Sequence, residues 1–235
     1  MDFSKFKKSH PEYSTKTKLS DALLHACEIG DVSMTKYFFD TWPHLNQLIN
    51  FPTLFRRTCM YNQLSVAKYL VEISPNINDG TWNLNTIADV FRRGYIDVAK
   101  YLYEIIPELY TDDAIKHIFK TTLDSYQVDV MKWLIITFPH VEFKFNEQNV
   151  TNACMNYYIG VLKQLAIICP LNKMPFMINK CYKYDIVAPI EYFIRHYEIS
   201  NVDGIQIKEK YVDRFTNDIE RINCATTKSA RSCLD

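Results

Sequence analysis

Apolar residues recur along the chain at helical spacing, and the stripes they form return at a fixed interval. The clearest marker is a lysine followed by an aromatic and a large apolar residue: Lys36-Tyr37-Phe38, Lys68-Tyr69-Leu70, Lys100-Tyr101-Leu102 and Lys132-Trp133-Leu134. These lysines stand 32 residues apart, and weaker copies follow at Lys163-Gln164-Leu165 and Glu191-Tyr192-Phe193. Pro43, Pro75, Pro107, Pro139 and Pro170 each fall seven residues past the lysine of their copy. Two independent markers holding one period identify a tandem repeat. Upstream of the lysine, Leu64 and Val66, Ile96 and Val98, Val128 and Val130, and Ile159 and Val161 complete a stripe that predicts a helix. The proline ends that helix, because it lacks an amide donor and biases its predecessor away from helical backbone.

An earlier helix in each copy has its own stripe. Leu23, Phe55, Ile87, Ile115, Val150 and Ile178 lie four residues before Cys27, Cys59, Phe91, Phe119, Cys154 and Tyr182. Gly30-Asp31, Asn62-Gln63 and Gly94-Tyr95 then predict a tight turn whose first residue takes left-handed backbone. The fourth copy carries about four extra residues, Thr122 to Ser125, which this reading puts in the turn. The expected architecture is all-α, a solenoid of about six helix-turn-helix repeats over 21–200 (21–50, 51–82, 83–110, 111–146, 147–174 and 175–200). Stacked repeats need ends with a polar outer face. Residues 1–20 read as an N-terminal cap in which Phe3 and Phe6 pack on the first repeat, with Ser20 or Asp21 capping its helix. The amphipathic run of Tyr211, Val212, Phe215, Ile219 and Ile222 makes 201–223 a closing helix, and 224–235 reads as a flexible tail.

Composition narrows the chemistry. With 27 Lys+Arg against 27 Asp+Glu, no global charge drives the 235-residue chain onto nucleic acid or anionic membrane. Only 5 glycines occur, none of them clustered as a phosphate loop requires. Lysines in the first twenty residues are not followed by the apolar segment of a signal peptide, and no apolar run is long enough to span a membrane. The 7 cysteines are widely spaced with no Cys-x-x-Cys, which fits a reducing, cytoplasmic or nuclear setting. Cys27, Cys59 and Cys154 share one first-helix position and read as packed core thiols. The 6 histidines show no zinc-ligand spacing, so neither a metal site nor a cofactor is expected, and no motif of a hydrolase or kinase occurs.

Two segments resemble a known family. Gly94-Tyr95-Ile96-Asp97-Val98-Ala99-Lys100-Tyr101-Leu102 is similar to the second-helix signature of ankyrin repeats, and Ala22-Leu23-Leu24-His25-Ala26-Cys27-Glu28-Ile29-Gly30-Asp31 to the first helix and its turn. The resemblance covers residues 20–200 and follows the divergent style common in giant viruses of amoebae and some protists. The threonine-proline pair before the first helix is absent, and a proline-centred end such as Ile106-Pro107-Glu108-Leu109 replaces the Gly-Ala-Asp loop.

The resemblance implies a non-catalytic scaffold, monomeric, that binds a partner protein on the concave face lined by first helices. In a viral protein the setting would be host cytoplasm or nucleus. Helical geometry turns the residues two before and one after the second stripe position outward. These are His25, Arg57, Asp89, His117, Asn152 and Lys180, then Glu28, Met60, Arg92, Lys120, Met155 and Lys183, with Arg93 alongside. Arg57, Arg92, Arg93, Lys120, Lys180 and Lys183 form the candidate partner-binding set, a basic stripe suited to an acidic protein. Alternatives are ordinary solvated helix charge, nucleic-acid binding through the same stripe, or an adaptor that recruits a host degradation or signalling complex. The variable inter-repeat segments carry Trp82, Phe143 and Phe145, expected as plugs between repeats, with interface anchors as the alternative.

Overall fold

The computed structural model describes residues 16–42, 49–74, 84–199, 201 and 205–231, with the side chains of 16–18 and 226–231 outside the description. Among the described residues the protein is all-helical, with no strand. Thirteen α-helices follow in order: α1 Lys16–Ile29, α2 Val32–Thr41, α3 Phe51–Met60, α4 Leu64–Ile73, α5 Leu84–Arg92, α6 Ile96–Ile105, α7 Asp112–Asp124, α8 Val128–Thr137, α9 Glu147–Met155, α10 Ile159–Ile167, α11 Met174–Lys183, α12 Ala188–His196 and α13 Val212–Arg231. The first twelve make six hairpins at the spacing of the lysine marker. The chain divides into two compact units, residues 1–114 and 115–235, with the division in the first turn of α7.

One turn closes every hairpin. Its first residue is left-handed: Gly30 (φ 81°), Asn62 (63°), Gly94 (77°), Tyr126 (58°), Tyr157 (55°) and Asp185 (59°). The next residue donates its amide to a carbonyl five back: Asp31 to Ala26, Gln63 to Thr58, Tyr95 to Val90, Gln127 to Thr122, Tyr158 to Ala153 and Ile186 to Cys181, at 2.9–3.4 Å. This bond satisfies a carbonyl that would otherwise end the helix unpaired. In the first five hairpins the same residue then accepts the first hydrogen bond of the second helix, from Thr35, Ala67, Ala99, Met131 and Leu162. At Gly30 a side chain would also displace the end of Gln63. A Cβ there would lie 2.1 Å from Oε1 of Gln63, whose Nε2 donates to the Glu28 carbonyl at 3.0 Å.

Hairpins stack in register within each unit. In the first, α1 packs on α3 and α3 on α5, while α2 packs on α4 and α4 on α6. In the second, α9 packs on α11, and α8, α10, α12 and α13 follow one on the next. Phe38, Phe55, Leu70, Phe91 and Leu102 are fully buried in the first unit, as are Leu134, Val161, Leu165 and Phe193 in the second. The marker lysines are exposed and their aromatic neighbours half-buried. Lys36 Nζ lies 5.1 Å over the Tyr69 ring and Lys68 Nζ 5.6 Å over Tyr101, so each lysine caps the aromatic of the next hairpin. Second helices stop short of the repeat proline. Trp42, Ser74, Ile106 and Phe138, the residues before it, leave helical backbone with φ between −123° and −144°. Pro43 and Pro75 themselves lie outside the described residues.

Four expectations change. The fourth copy holds no insertion, since Tyr126 keeps the 32-residue interval from Gly94; its first helix, Asp112–Asp124, is longer, 13 residues, because it starts further ahead of the turn. Phe119 and Leu123 therefore occupy the two stripe positions there, with Ile115 buried one turn earlier. Secondly, α1 begins at Lys16, so Ser20 and Asp21 are interior to a helix and cap nothing; Leu19, 4% exposed, extends the apolar stripe upstream of Leu23. The segment 1–20 is thus partly helix, while Phe3 and Phe6 lie outside the described residues. Thirdly, α13 continues to Arg231, past the apolar run that ends at Ile222, so much of the expected tail is helical. Fourthly, helix does not begin at residue 201: α13 starts at Val212, preceded by a 3-10 turn over Glu209–Tyr211.

Phe143 and Phe145 are plugs, as expected. Val141, Phe143 and Phe145 are buried and alternate with exposed Glu142, Lys144 and Asn146, and the Phe143 ring lies 4.5 Å from that of Phe119. Trp82 lies outside the described residues. The closing helix is held by apolar burial of Phe215, Ile219 and Ile222 and by one buried-edge hydrogen bond, Tyr182 Oη donating to Asp218 Oδ2 at 2.9 Å.

These contacts grade the cost of mutation. Phe215→Ala, which empties a fully buried site, should cost about 3–5 kcal/mol in urea unfolding. Tyr182→Phe keeps the ring against Tyr211 and Phe215 and loses only the hydrogen bond, about 1 kcal/mol. Gly30→Ala should cost about 1–2 kcal/mol because a Cβ is forced into left-handed backbone.

Candidate functional site

First helices expose one register of side chains because the adjacent registers are buried against the next hairpin. His25, Arg57, Arg92, Arg93, Lys120, Met155 and Lys183 are exposed, and Glu28, Asp89, Asn152 and Lys180 half-buried. His117 is exposed too, but the longer α7 sets His117 and Lys120 one turn nearer the helix start than their counterparts. Thr121 and Asp124 hold the positions equivalent to Arg57 and Met60.

In the first unit the basic residues are largely neutralised. Arg57 donates through Nε (2.9 Å) and Nη2 to Glu28 Oε1 of the preceding hairpin, which holds the guanidinium above the usual arginine value. Its head also lies 5.8 Å over the Tyr61 ring. Arg92 donates through Nε and Nη2 to Asp89 Oδ1, both at 3.1 Å. Arg93 projects beside it, exposed. Screened surface pairs of this kind contribute little to stability and blunt the local positive potential.

The second unit differs. Asn152 and Lys180, and Met155 and Lys183, share registers on the adjoining helices α9 and α11. Lys180 Nζ lies 5.4 Å over Phe176, and Lys183 Nζ 5.4 Å over Tyr184. Beyond Met155 (57% exposed) the turn itself is apolar and open: Tyr157 is 62% exposed, Tyr158 39% and Ile159 43%. Tyr158 packs its ring 4.2 Å from Tyr126. Tyr126, Tyr157, Tyr158 and Ile159 were not among the sequence candidates. The signal was a tyrosine standing where Gly30, Asn62 and Gly94 stand in other repeats, since a bulky side chain in left-handed backbone is unfavourable and must be held by its surroundings.

The thiols are packing residues. Cys27, Cys59, Cys154, Cys169 and Cys181 are buried and free. Burial pushes Cys27 and Cys169 up to about 11 and Cys59 higher still. Cys181 keeps its proton through its hydrogen bond to Cys154 and its burial. Among the described residues no group of three or more His, Cys, Asp or Glu side chains could hold a metal ion, and no helix is long and apolar enough to cross a membrane. The chain matches no family model, no curated protein and no solved structure.

Thiol labelling checks this picture. Under native conditions at pH 8 a thiol-exchange reagent should leave Cys27, Cys59, Cys154, Cys169 and Cys181 unmodified, as mapped by mass spectrometry after digestion, and reach all five in denaturant.

Proposed function

We propose that the protein is a divergent ankyrin-like repeat solenoid that acts as a non-catalytic scaffold, binding an acidic partner protein through the first-helix face. The observation that carries this reading is the apolar turn of Tyr157, Tyr158 and Ile159, which continues the exposed register at Met155 and adjoins the lysine register of α11. Exposed tyrosines bring large contact area at low entropic cost, and a surrounding positive rim selects and steers an acidic partner. Within the second unit Lys180 and Lys183 supply that rim. Stacked hairpins hold these groups in place before binding, so little order remains to be imposed on docking. The five buried thiols Cys27, Cys59, Cys154, Cys169 and Cys181, none of them in a disulfide, support a reducing compartment such as the cytoplasm.

The test separates stability from binding. Tyr157→Gly relieves left-handed backbone strain, so its Tm should equal or exceed that of the native protein. Binding should fall, because the exposed ring is lost. A nuclease-treated affinity capture from lysate is compared for the native protein, Tyr157→Gly/Tyr158→Ser, Lys180→Glu/Lys183→Glu, and a control bearing Lys36→Glu/Lys68→Glu. The reading expects a discrete protein retained by native and control and lost from both site variants. Equal recovery by all four, or no protein above background, would overturn it.

A further inference from the structure

A second basic feature lies at the end of the second unit. Phe176, Asn179, Lys180 and Lys183 of α11 face Lys208, Lys210 and Tyr211 of the chain entering α13, around a cleft of ≈ 360 Å³. Four lysines therefore line one space, and among the described residues no carboxylate lines it. The second-unit arginines are treated differently: Arg214 pairs with Asp185, and Arg221 with Glu191 and Asp218. No ion pair joins any of the four cleft lysines to a described carboxylate. Like charges brought together without compensation repel, and that cost is recovered only when an anion enters.

The cleft is braced as well as charged. The Asn179 side chain donates to the carbonyls of Pro175 (2.7 Å) and Gln206 (3.1 Å) and accepts from the Lys208 amide (2.8 Å), pinning the incoming segment to α11. Tyr211 stacks on Tyr182 at 5.4 Å, and Lys210 Nζ lies 4.8 Å over its ring. Lys180 similarly covers Phe176. The Phe176 and Tyr211 rings are thus covered by the protein's own cations.

We propose that this cleft binds a small polyphosphorylated ligand, one carrying at least two phosphates. Lysine is a point-charge phosphate donor, whereas planar carboxylates favour the arginine fork that this cleft lacks. Its volume is in the range of small-molecule sites. The inference does not depend on the scaffold reading, since it concerns a separate ligand and can be tested on the isolated protein.

Binding is measured by calorimetry with inorganic tripolyphosphate, ATP, AMP and a single-stranded oligonucleotide at low salt. Tripolyphosphate and ATP should bind comparably and AMP at least about tenfold more weakly, with affinity falling as salt rises. Lys208→Gln/Lys210→Gln leaves α11 intact and should weaken tripolyphosphate at least about tenfold. Lys36→Gln/Lys68→Gln removes the same charge elsewhere and should change it less than about twofold. The proposal fails if tripolyphosphate does not bind, or if both double variants weaken it equally. It also fails if ATP binds far more tightly than tripolyphosphate, which would make the base the recognised group. Preference for the oligonucleotide over every small phosphate would replace it with a nucleic-acid site.

Discussion

The hairpin turn is the constraint on which the rest depends. A left-handed residue followed by an amide bonded to the carbonyl five back reverses the chain in two residues, and in five hairpins that second residue also starts the next helix. Such a short reversal forces the two helices of a pair into contact along their stripes. It leaves outer faces that only another hairpin can cover, so stacking follows from the turn. Sequence can vary widely at the slot, from glycine to tyrosine, provided the backbone conformation survives.

Stacking then sorts the surface. Registers facing the next hairpin are apolar and buried, and the register between them points to solvent at every first helix. Lys36 and Lys68 acquire a role in this frame, capping the half-buried aromatics Tyr69 and Tyr101 of the following repeats. A cation over a ring edges the core with charge while the ring stays packed. The 32-residue marker is thus a structural contact between neighbours, distinct from the face assigned to binding.

Electrostatics separates the paired arginines from the cleft lysines. Arg57 and Arg92 spend their charge on Glu28 and Asp89, whereas the lysines around α11 lack such partners. A neutral composition conceals this contrast because composition has no location. The scaffold reading and the phosphate cleft both draw on the same local excess and share Lys180 and Lys183. These flank an open tyrosine turn in one case and join Lys208 and Lys210 in a braced pocket in the other.

The helices, their pairing, the repeat interval, the proline stops and the burial of the thiols were legible in the sequence, because each rests on spacing along one chain. Phe143 and Phe145 were expected as plugs with interface anchors as the alternative, and their burial decides for plugs. What spacing could not decide was where the stripe of the fourth copy falls. Aligned on Ile115 and Phe119 the fourth copy reads as four residues longer before its turn. Yet Tyr126 stands 32 residues after Gly94, so the stripe falls on Phe119 and Leu123. Helix α7 simply begins one turn earlier, which leaves the same side facing its neighbour. Nor could spacing show that Arg57 meets Glu28 across 29 residues, or that Lys208 and Lys210 come to face Lys180 and Lys183. Those encounters exist only once hairpins stack, because the charges belong to different elements and their separation in space is set by packing rather than by order along the chain.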